Sequence, residues 1–308
     1  MVCWCENLSS MTFLAFFLNC VANSKIKDLD LFENVWIHPA PGDAGGAVGA
    51  ALGLYYSDHE FKPLKKPFSP YLGPKFTNDE IKKILERKKI VFRQLTYEEI
   101  YQEVATYLHD GEIIGWFQDR MEWGPRALGN RSILSNATDK EMQKKLNLKI
   151  KYREGFRPFA PVVLEEDTCD YFHLKEKSSS LMQFTAQVKN ASSKQDSSLG
   201  FMKKLEQINS PIPAVTHLDL SARVQTVNQM ENSKLHRLIT AYKSISNMPV
   251  IVNTSFNVRG EPIVCNPEDA LNCFLATEID LLVIENFIVR KEDLPIEFIT
   301  QERVFLAD

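Results

Sequence analysis

Short apolar runs, bounded by turn residues, recur along the chain and predict buried strands. The runs are IIGWF at 113–117, FAPVVL at 159–164, PVIVN at 249–253 and DLLVI at 280–284. A further strand is predicted within LMQFTAQV, at 181–188, because polar loop-like segments flank this apolar stretch on both sides.

Apolar residues at helical spacing predict two helices in the first half of the chain. Residues 77–90 start at a predicted N-cap, Thr77 or Asn78, and we interpret the lysines of this helix as a solvated face. Residues 96–111 repeat the pattern, with Gly111 as the stop. Helices mixed with strands indicate an α/β or α+β architecture.

Glycine and proline divide the chain into three predicted regions. Residues 1–60 end in HPAPGDAGGAVGAALGLYY, a glycine-rich turn followed by a helix of small residues that can pack closely on other backbone. The proline-rich segment 61–79 lacks apolar periodicity and is interpreted as a semi-rigid linker. The main domain is expected at 80–308.

Composition narrows the function classes. The 308 residues are 44% hydrophobic, which allows a sizeable core, and the net charge of −4 argues against non-specific nucleic-acid binding. The six cysteines show no paired spacing, as in reduced cytoplasmic proteins. The apolar stretch 11–22 is too short to span a membrane and lacks a basic leader, so we interpret it as a buried segment and expect a cytoplasmic protein.

The stretch WGPRALGNRS, at 123–132, is the first candidate anion site. Gly124-Pro125 predicts the start of a one-turn helix, which Gly129-Asn130 would end before a strand. Backbone N–H groups at a helix start and the planar guanidinium groups of Arg126 and Arg131 suit a phosphate or carboxylate. The alternative is a capped short helix whose arginines form salt bridges.

A second cationic cluster lies in KIKYREGFRPF, at 149–159. If this stretch is extended, Lys149, Lys151 and Arg153 project to the same side, where like charges repel each other unless an anion lies among them. Arg157 follows them. The alternative is a solvated edge strand.

Polar side chains follow the predicted strand at 249–253. Thr254, Ser255 and Asn257 lie where open α/β sheets often bind ligands, although they are equally typical of a turn. Arg223 is a single arginine in the strand-like stretch 216–227. The sequence contains no HExxH motif, P-loop, dinucleotide-binding fingerprint or nucleophile elbow.

Four segments, taken in order, resemble the carboxyl-terminal half of the O-carbamoyltransferases that decorate antibiotics and nodulation factors. They are WFQDRMEWGPRALGNRSIL, IKYREGFRPFAPVVLEE, PAVTHLDLSARVQTV and NTSFNVRGEPIVCNPEDA. NCVANSKI, VWIHPAPGDAGGAVGAALG and SPYLGP are similar to the stretch that precedes it in that family.

This resemblance implies a fold and an activity. It implies an α/β fold for 80–308, a YrdC-like twisted mixed sheet with flanking helices, preceded in 1–60 by a remnant of an actin/hexokinase-like domain. In the family, the YrdC-like domain makes carbamoyl-AMP from carbamoyl phosphate and ATP, with Mg²⁺ accompanying the nucleotide. The amino-terminal domain binds Fe²⁺ or another divalent metal and transfers the carbamoyl group to a hydroxyl acceptor.

The resemblance also assigns residues. Its K-x-R and S-x-N motifs correspond to Lys151 with Arg153 and to Ser255 with Asn257. Together with the residue patterns described above, which supply Arg131 and Thr254, the resemblance gives two sets of expected site residues. The expected catalytic residues are Lys151, Arg153, Arg126 and Arg223, and the expected substrate- or ATP-binding residues are Arg131, Arg157, Thr254, Ser255 and Asn257. Arginine and lysine neutralise the phosphates so that an oxygen nucleophile can approach phosphorus.

The chain departs from the family pattern at several positions. Asp43 corresponds to a metal ligand, but its two histidine partners, from an upstream HxxxH, are not in this sequence, so stable metal binding is not expected. Residues 14–17 replace a Gly-Gly turn, and Asp119 and Leu220 stand where the family usually has glycine. We therefore expect a truncated member, whose transfer step needs a domain supplied by a separate chain or missing from this sequence.

Two alternatives to carbamoyl-adenylate formation remain open. One is a non-catalytic nucleotide-binding pseudoenzyme or partner subunit, suggested by the replaced glycines. The other is a threonylcarbamoyl-AMP synthase that acts in tRNA modification, which WGPRALGNRS and Asp43 argue against.

Overall fold

Helices cover both faces of a large mixed β-sheet. The computed structural model describes residues 16–32, 35–59, 69–175, 178–193, 204–205, 207–295 and 298. The strands are β1 (Arg93–Gln94), β2 (Ile114–Phe117), β3 (Arg131–Asn136), β4 (Ala160–Leu164), β5 (Phe172–His173), β6 (Phe184–Val188), β7 (Ser192–Ser193), β8 (Ile208–Asn209), β9 (Ser221–Val227), β10 (Val250–Ser255), β11 (Leu281–Ile284) and β12 (Phe287–Arg290).

The strand order of the main sheet is β1-β12-β11-β2-β3-β10-β4-β9-β6-β5. The pairs β2–β11 and β4–β9 are parallel, whereas the other neighbours are antiparallel. The α/β mixed sheet expected from the sequence is therefore confirmed. β7 and β8 form a separate two-stranded sheet.

The helices bury apolar residues against the two faces of the main sheet. They are α1 (Cys20–Asp28), α2 (Asp43–Asp58), α3 (Asn78–Arg87), α4 (Tyr97–His109), α5 (Met142–Lys149), α6 (Thr168–Tyr171), α7 (Ser233–Ser246) and α8 (Pro267–Ala276). Helices α4 and α7 form one core with residues such as Trp116 and Ile251. Helices α3, α5 and α8 form the other core with residues such as Phe117 and Val252.

Local sequence signals correctly specified five strands of the main sheet and helices α3 and α4. All five predicted strands form, and Thr77 rather than Asn78 caps α3 in a reciprocal capping box. Gly111 has φ +85°, the left-handed conformation expected just after the end of α4. The prediction that 11–22 is a buried segment falls partly on residues 11–15, outside the described residues, and the rest is wrong because Phe17 and Val21 are about half exposed.

The amino-terminal region contacts the main sheet through α1. The Asn23 side-chain amide donates hydrogen bonds to the carbonyl oxygens of Phe17 and Gln183, and Ser24 bonds to Thr185 on β6. Helix α2 forms where the glycine-rich turn predicted it, but none of its residues is buried, so the close packing expected of it is not seen among the described residues. No helix in the described ranges combines the length and apolar character needed to cross a membrane.

Within α2, Gly45 does lie close to other backbone, because a Cβ atom there would be 2.0 Å from the carbonyl oxygen of Ala40.

The linker predicted at 61–79 is described only from residue 69 onwards. In that part, the Gly73 amide donates to the Met121 carbonyl, and Tyr71 Oη donates to that of Leu128. The boundaries predicted for the three regions therefore remain predictions.

Candidate anion-binding site

The side chain of Lys151 joins two segments that are far apart in the sequence. Its ammonium group donates to the carbonyl oxygen and Oγ of Ser255, at 2.5 and 3.2 Å, and to the carbonyl oxygen and Oδ1 of Asn257, at 2.9 and 2.8 Å. Ser255 Oγ in turn donates to Asn257 Oδ1 at 2.6 Å. The structure therefore brings the K-x-R lysine and both residues of S-x-N together at the carboxyl end of β10.

Lys151 is buried, with 4% of its surface exposed. Burial disfavours the charged ammonium and lowers the pKa of Lys151 to about 7, and the nearby charge of Arg153 acts in the same direction. Four protein oxygens already surround an ammonium that has three hydrogens to donate. In this arrangement Lys151 orients Ser255 and Asn257, and a phosphate oxygen would have to replace one of these acceptors to contact it.

Strand geometry places Ser255 and Arg223 at the same end and on the same face of the sheet. Asn253 Nδ2 donates to Gln225 Oε1 at 2.6 Å, so these residues of β10 and β9 share a face. β10 is antiparallel to β4, which is parallel to β9, so β9 and β10 run in opposite directions. Two residues forward along β10 lead from Asn253 to Ser255, and two residues back along β9 lead from Gln225 to Arg223. Because side chains two residues apart share a face, Ser255 and Arg223 lie on the same face and at the same end of the sheet.

The loop that carries Arg126 lies over the same face. Gln225 Nε2 donates to the Leu128 carbonyl at 2.8 Å, and Asn253 Nδ2 contacts that of Ala127 at 3.4 Å. Arg126 Nη2 donates to the Leu18 carbonyl at 3.2 Å. The expected one-turn helix is wrong: residues 123–130 form an irregular loop with bends at 123–126 and 129–130, where Gly124 (φ +132°) and Gly129 (φ +109°) turn the backbone.

A buried carboxylate holds this loop in place. Glu122 Oε1 accepts hydrogen bonds from the backbone N–H groups of Leu128, Asn130 and Arg131, at 2.7, 2.8 and 3.3 Å. Only 4% of the Glu122 surface is exposed. Sequence reasoning missed Glu122, since a glutamate before a glycine and a proline carries no local signal of such a role.

Arg153 reaches the site from the segment after α5. Its Nε donates to Asn147 Oδ1 at 2.7 Å, and its guanidinium carbon lies 5.1 Å from the centroid of the Phe159 ring. The expectation that 149–153 is extended is wrong, because Lys149 ends α5 and forms an ion pair with Glu278, and Tyr152 turns the chain with φ +46°. Lys149, Lys151 and Arg153 therefore do not project to one side as a row.

Arg126, Arg153 and Arg223, hereafter the arginine cluster, influence one another electrostatically. Burial, together with the nearby charges of Arg126 and Arg153, lowers the pKa of Arg223 to about 10. Among the residues that the structure describes, none of the three guanidinium groups forms an ion pair with a carboxylate, and Arg223 Nε is buried without a hydrogen-bond partner. An anion is the group that would complete this arrangement.

The other residues predicted to bind the ligand lie outside the candidate site or at its edge. The two terminal nitrogens of the buried Arg131 guanidinium donate to the carbonyl oxygens of Gln118, Asn130, Pro74 and Asp119, and the group stacks on Phe117, so these two nitrogens serve the fold, while its Nε has no partner among the described residues.

Burial lowers the pKa of Arg153, and the charge of Arg157 acts in the same direction. Arg157 itself is half exposed and paired with Glu154 at 2.9 Å. Thr254 pairs with Ile133 of β3, and strand alternation turns its side chain away from the face that carries Ser255.

The described residues do not fit a resident metal ion at Asp43. Asp43 is exposed at the start of α2, and no group of three His, Cys, Asp or Glu side chains suited to a metal occurs in the described ranges.

A cavity of about 360 Å³ lies between residues 261–264 and α8, and its lining includes Glu261 and Asp269. These carboxylates make that cavity a poor site for phosphate.

The comparisons with known proteins agree with the motifs. Residues 105–291 match the family model of the carbamoyltransferase C-terminus, and residues 15–52 match that of the carbamoyltransferase N-terminus. The chain belongs to the carbamoyltransferase family. The resemblance inferred from the sequence is therefore confirmed.

Individual relatives extend over nearly all of this carbamoyltransferase chain. It is 46% identical to an uncharacterized protein of Synechocystis over 90% of its own length and 47% of that protein. It is 36% identical to nodulation protein NolO of Bradyrhizobium diazoefficiens over 89% of its length and 47% of NolO. The chain thus spans about half the length of the curated relatives it matches.

Among solved structures, full-length HypF in a phosphate- and nucleotide-bound form shows a distant likeness. The TM-score is 0.40 and the sequence identity 17%, over 67% of this chain and 23% of HypF. A likeness of this size carries no argument about the site.

Proposed function

We propose that the described domain forms carbamoyl-AMP from carbamoyl phosphate and ATP, as the adenylating half of an O-carbamoyltransferase. The observation that carries the proposal is the arginine cluster, in which three cations from separate segments come together and none is ion-paired with a carboxylate of the described residues. The two substrates bring several phosphate charges, and arginine is the side chain best suited to bind them in pairs of hydrogen bonds.

The proposed reaction balances with water as the third reactant. Carbamoyl phosphate and water give carbamate and inorganic phosphate, after which a carbamate oxygen bonds to the α-phosphorus of ATP. The bond from that phosphorus to the pyrophosphate leaving group breaks, and Mg²⁺ accompanies the nucleotide. Arg126, Arg153 and Arg223 would stabilise the charge that develops on the phosphate oxygens, while Lys151, Ser255 and Asn257 position the reactants.

Pyrophosphate exchange tests this reaction directly. We expect the protein to incorporate labelled pyrophosphate into ATP only when carbamoyl phosphate and Mg²⁺ are present. Lys151→Ala should reduce exchange roughly 10²–10³-fold, the scale of losing one preorganised donor. Lys149→Ala is the matched control, because Lys149 is exposed and paired with Glu278, and it should leave exchange unchanged.

Other outcomes would contradict the proposal. ATP binding by folded protein without any exchange would favour a nucleotide-binding module. ATP consumption that depends on threonine would favour a threonylcarbamoyl-AMP synthase. Transfer of the carbamoyl group to a hydroxyl acceptor is proposed only together with an amino-terminal domain, from the same protein or a separate chain.

A further inference from the structure

Asn147 is a polar residue at a core position of α5. None of its surface is exposed, and it lies beside Leu146, which packs in the core under this helix. A buried amide must find hydrogen-bond partners, because leaving it unpaired destabilises the fold. Three of the four partners of the Asn147 side chain are in the segment that carries Arg153.

The Asn147 side chain holds both ends of the loop 153–157. Its Oδ1 accepts from Arg153 Nε at 2.7 Å, while Nδ2 donates to the carbonyl oxygens of Gly155 and Arg157 at 3.2 and 2.9 Å, and to that of Gln143 at 3.0 Å. The Asn147 backbone carbonyl also accepts from the N–H of Arg153 at 3.0 Å. Arg153 is therefore fixed at its backbone and at its guanidinium group by one residue.

Electrostatics alone would drive Arg153 away from this position. Its charge lowers the pKa values of Lys151 and Arg223, which means that the three cations repel one another. An arginine on a surface loop gains hydration and rotamer freedom when it swings out to water. The contact with Asn147 opposes that movement and leaves the terminal nitrogens of Arg153 available to a ligand.

We propose that Asn147 is a positioning residue for anion binding: its side-chain amide holds Arg153 within the arginine cluster without touching the ligand. The inference rests on the proposed function only in taking the triphosphate of ATP as the anion. It adds a residue that neither the motifs nor the family resemblance singled out.

A double-mutant cycle on ATP affinity, measured by calorimetry on the full chain, tests the proposal. Asn147→Ala should weaken ATP binding about 10-fold, the scale of one hydrogen bond to a charged group. Arg153→Ala should weaken it about 100-fold. The double variant should bind no more weakly than Arg153→Ala alone, because Asn147 acts through Arg153.

Gln143→Ala is the matched control. Gln143 donates from Nε2 to the carbonyl oxygens of Phe156 and Arg157, so it anchors the same loop without touching the Arg153 side chain. Its effect on ATP affinity should be under threefold and the same in both Arg153 backgrounds. If Asn147→Ala does not fold, Asn147→Ser replaces it in the cycle, since the shorter hydroxyl does not reach Arg153.

An additive cycle, with the double variant about 10-fold weaker than Arg153→Ala, would overturn the inference and leave the proposed function intact. ATP binding without carbamoyl-phosphate-dependent exchange would overturn the proposed function, while the cycle would still decide the role of Asn147. If the wild type does not bind ATP, the same cycle is measured with pyrophosphate, and failure to bind either overturns both.

Discussion

Two charged clusters in this molecule are built on opposite principles. In the first, Glu285 accepts hydrogen bonds from Tyr97 and from the backbone of Asp119 and forms an ion pair with Lys234. Asp119 also pairs with Lys234 at 3.2 Å and with Lys75 at 2.9 Å. In this Glu285 network, the two carboxylates of Glu285 and Asp119 are paired with the two ammonium groups of Lys234 and Lys75. The arginine cluster, in contrast, has no ion-paired carboxylate among the described residues.

The difference is the one expected between a structural charge cluster and the binding site that we propose. A buried ion pair is neutral when complete, and removing one partner leaves an uncompensated charge. Unpaired like charges reduce stability until an anion binds them. The arrangement of partners, rather than the number of charges, is therefore the basis on which the arginine cluster is proposed as the site.

The sharpest test exchanges one cation in each cluster for a residue of similar size. Arg223→Met should weaken ATP binding about 100-fold and leave the free energy of unfolding unchanged or higher, because a source of repulsion is removed. Lys234→Met should lower the free energy of unfolding by about 3 kcal/mol, since Glu285 stays buried without its cation, and should not change ATP affinity. Calorimetry and urea denaturation measure both effects.

The comparison fails if the two variants behave alike. A stability loss of several kcal/mol in Arg223→Met would mean that Arg223 holds the fold together, as Lys234 is expected to do. Reduced ATP affinity in stable Lys234→Met would place the Glu285 network within the binding site.

The pH dependence of stability gives a second test. Burial holds the pKa of Lys151 near 7 in the folded state, against 10.5 for an ordinary lysine. Between those pH values the unfolded chain binds the proton and the folded chain does not, so the contribution of Lys151 to stability rises with pH, by at most about 1.4 kcal/mol per unit. Denaturation across pH 7–10 should show this rise in the wild type and not in Lys151→Met.

Binding should change in the opposite direction over the same range. The Lys151 ammonium loses its proton as pH rises above about 7, so pyrophosphate affinity should fall in the wild type. Equal pH slopes of stability in the wild type and Lys151→Met would contradict the assignment of this pKa.

The smallest effect concerns two residues with left-handed backbone. Leu220 has φ +64° and Asp119 has φ +42°, the two positions where the family resemblance led us to expect glycine. Leu220→Gly should raise the free energy of unfolding by about 0.5–1 kcal/mol, because a branched side chain is strained in this conformation. Asp119→Gly should lower it by about 1 kcal/mol, because the ion pairs of Asp119 are lost with the side chain.

Thermal denaturation of the two glycine variants measures this contrast. A gain in stability at both positions would show that the ion pairs of Asp119 contribute less than its backbone strain costs. The Glu285 network would then be a weaker stabilising element than the comparison assumes.

The sequence predicted some elements of the site and misjudged others for identifiable reasons. Lys151, Ser255 and Asn257 meet as the K-x-R and S-x-N motifs implied. Arg131 and Arg126 looked equivalent, being five residues apart in one motif, yet the guanidinium of Arg131 is bound by four backbone carbonyls. Which way each arginine points depends on the partners that the fold supplies.

The one signal that could have revealed Asn147 is its position. It is a polar residue within the apolar phase of α5, among Met142, Leu146 and Ile150. Glu122 had no such signal, because its three partners lie in a loop whose course depends on contacts with the sheet.

By itself, the sequence determined five strands of the main sheet, the limits of α3 and α4 and the order of the family motifs, because these depend on residues within a few positions of one another. Only the tertiary structure decided which cations find carboxylates and which remain unpaired. Strand register and loop paths bring together residues about 30–130 positions apart, and no local pattern encodes those distances. The balance of charge that distinguishes the arginine cluster from the Glu285 network is therefore a property of the folded molecule.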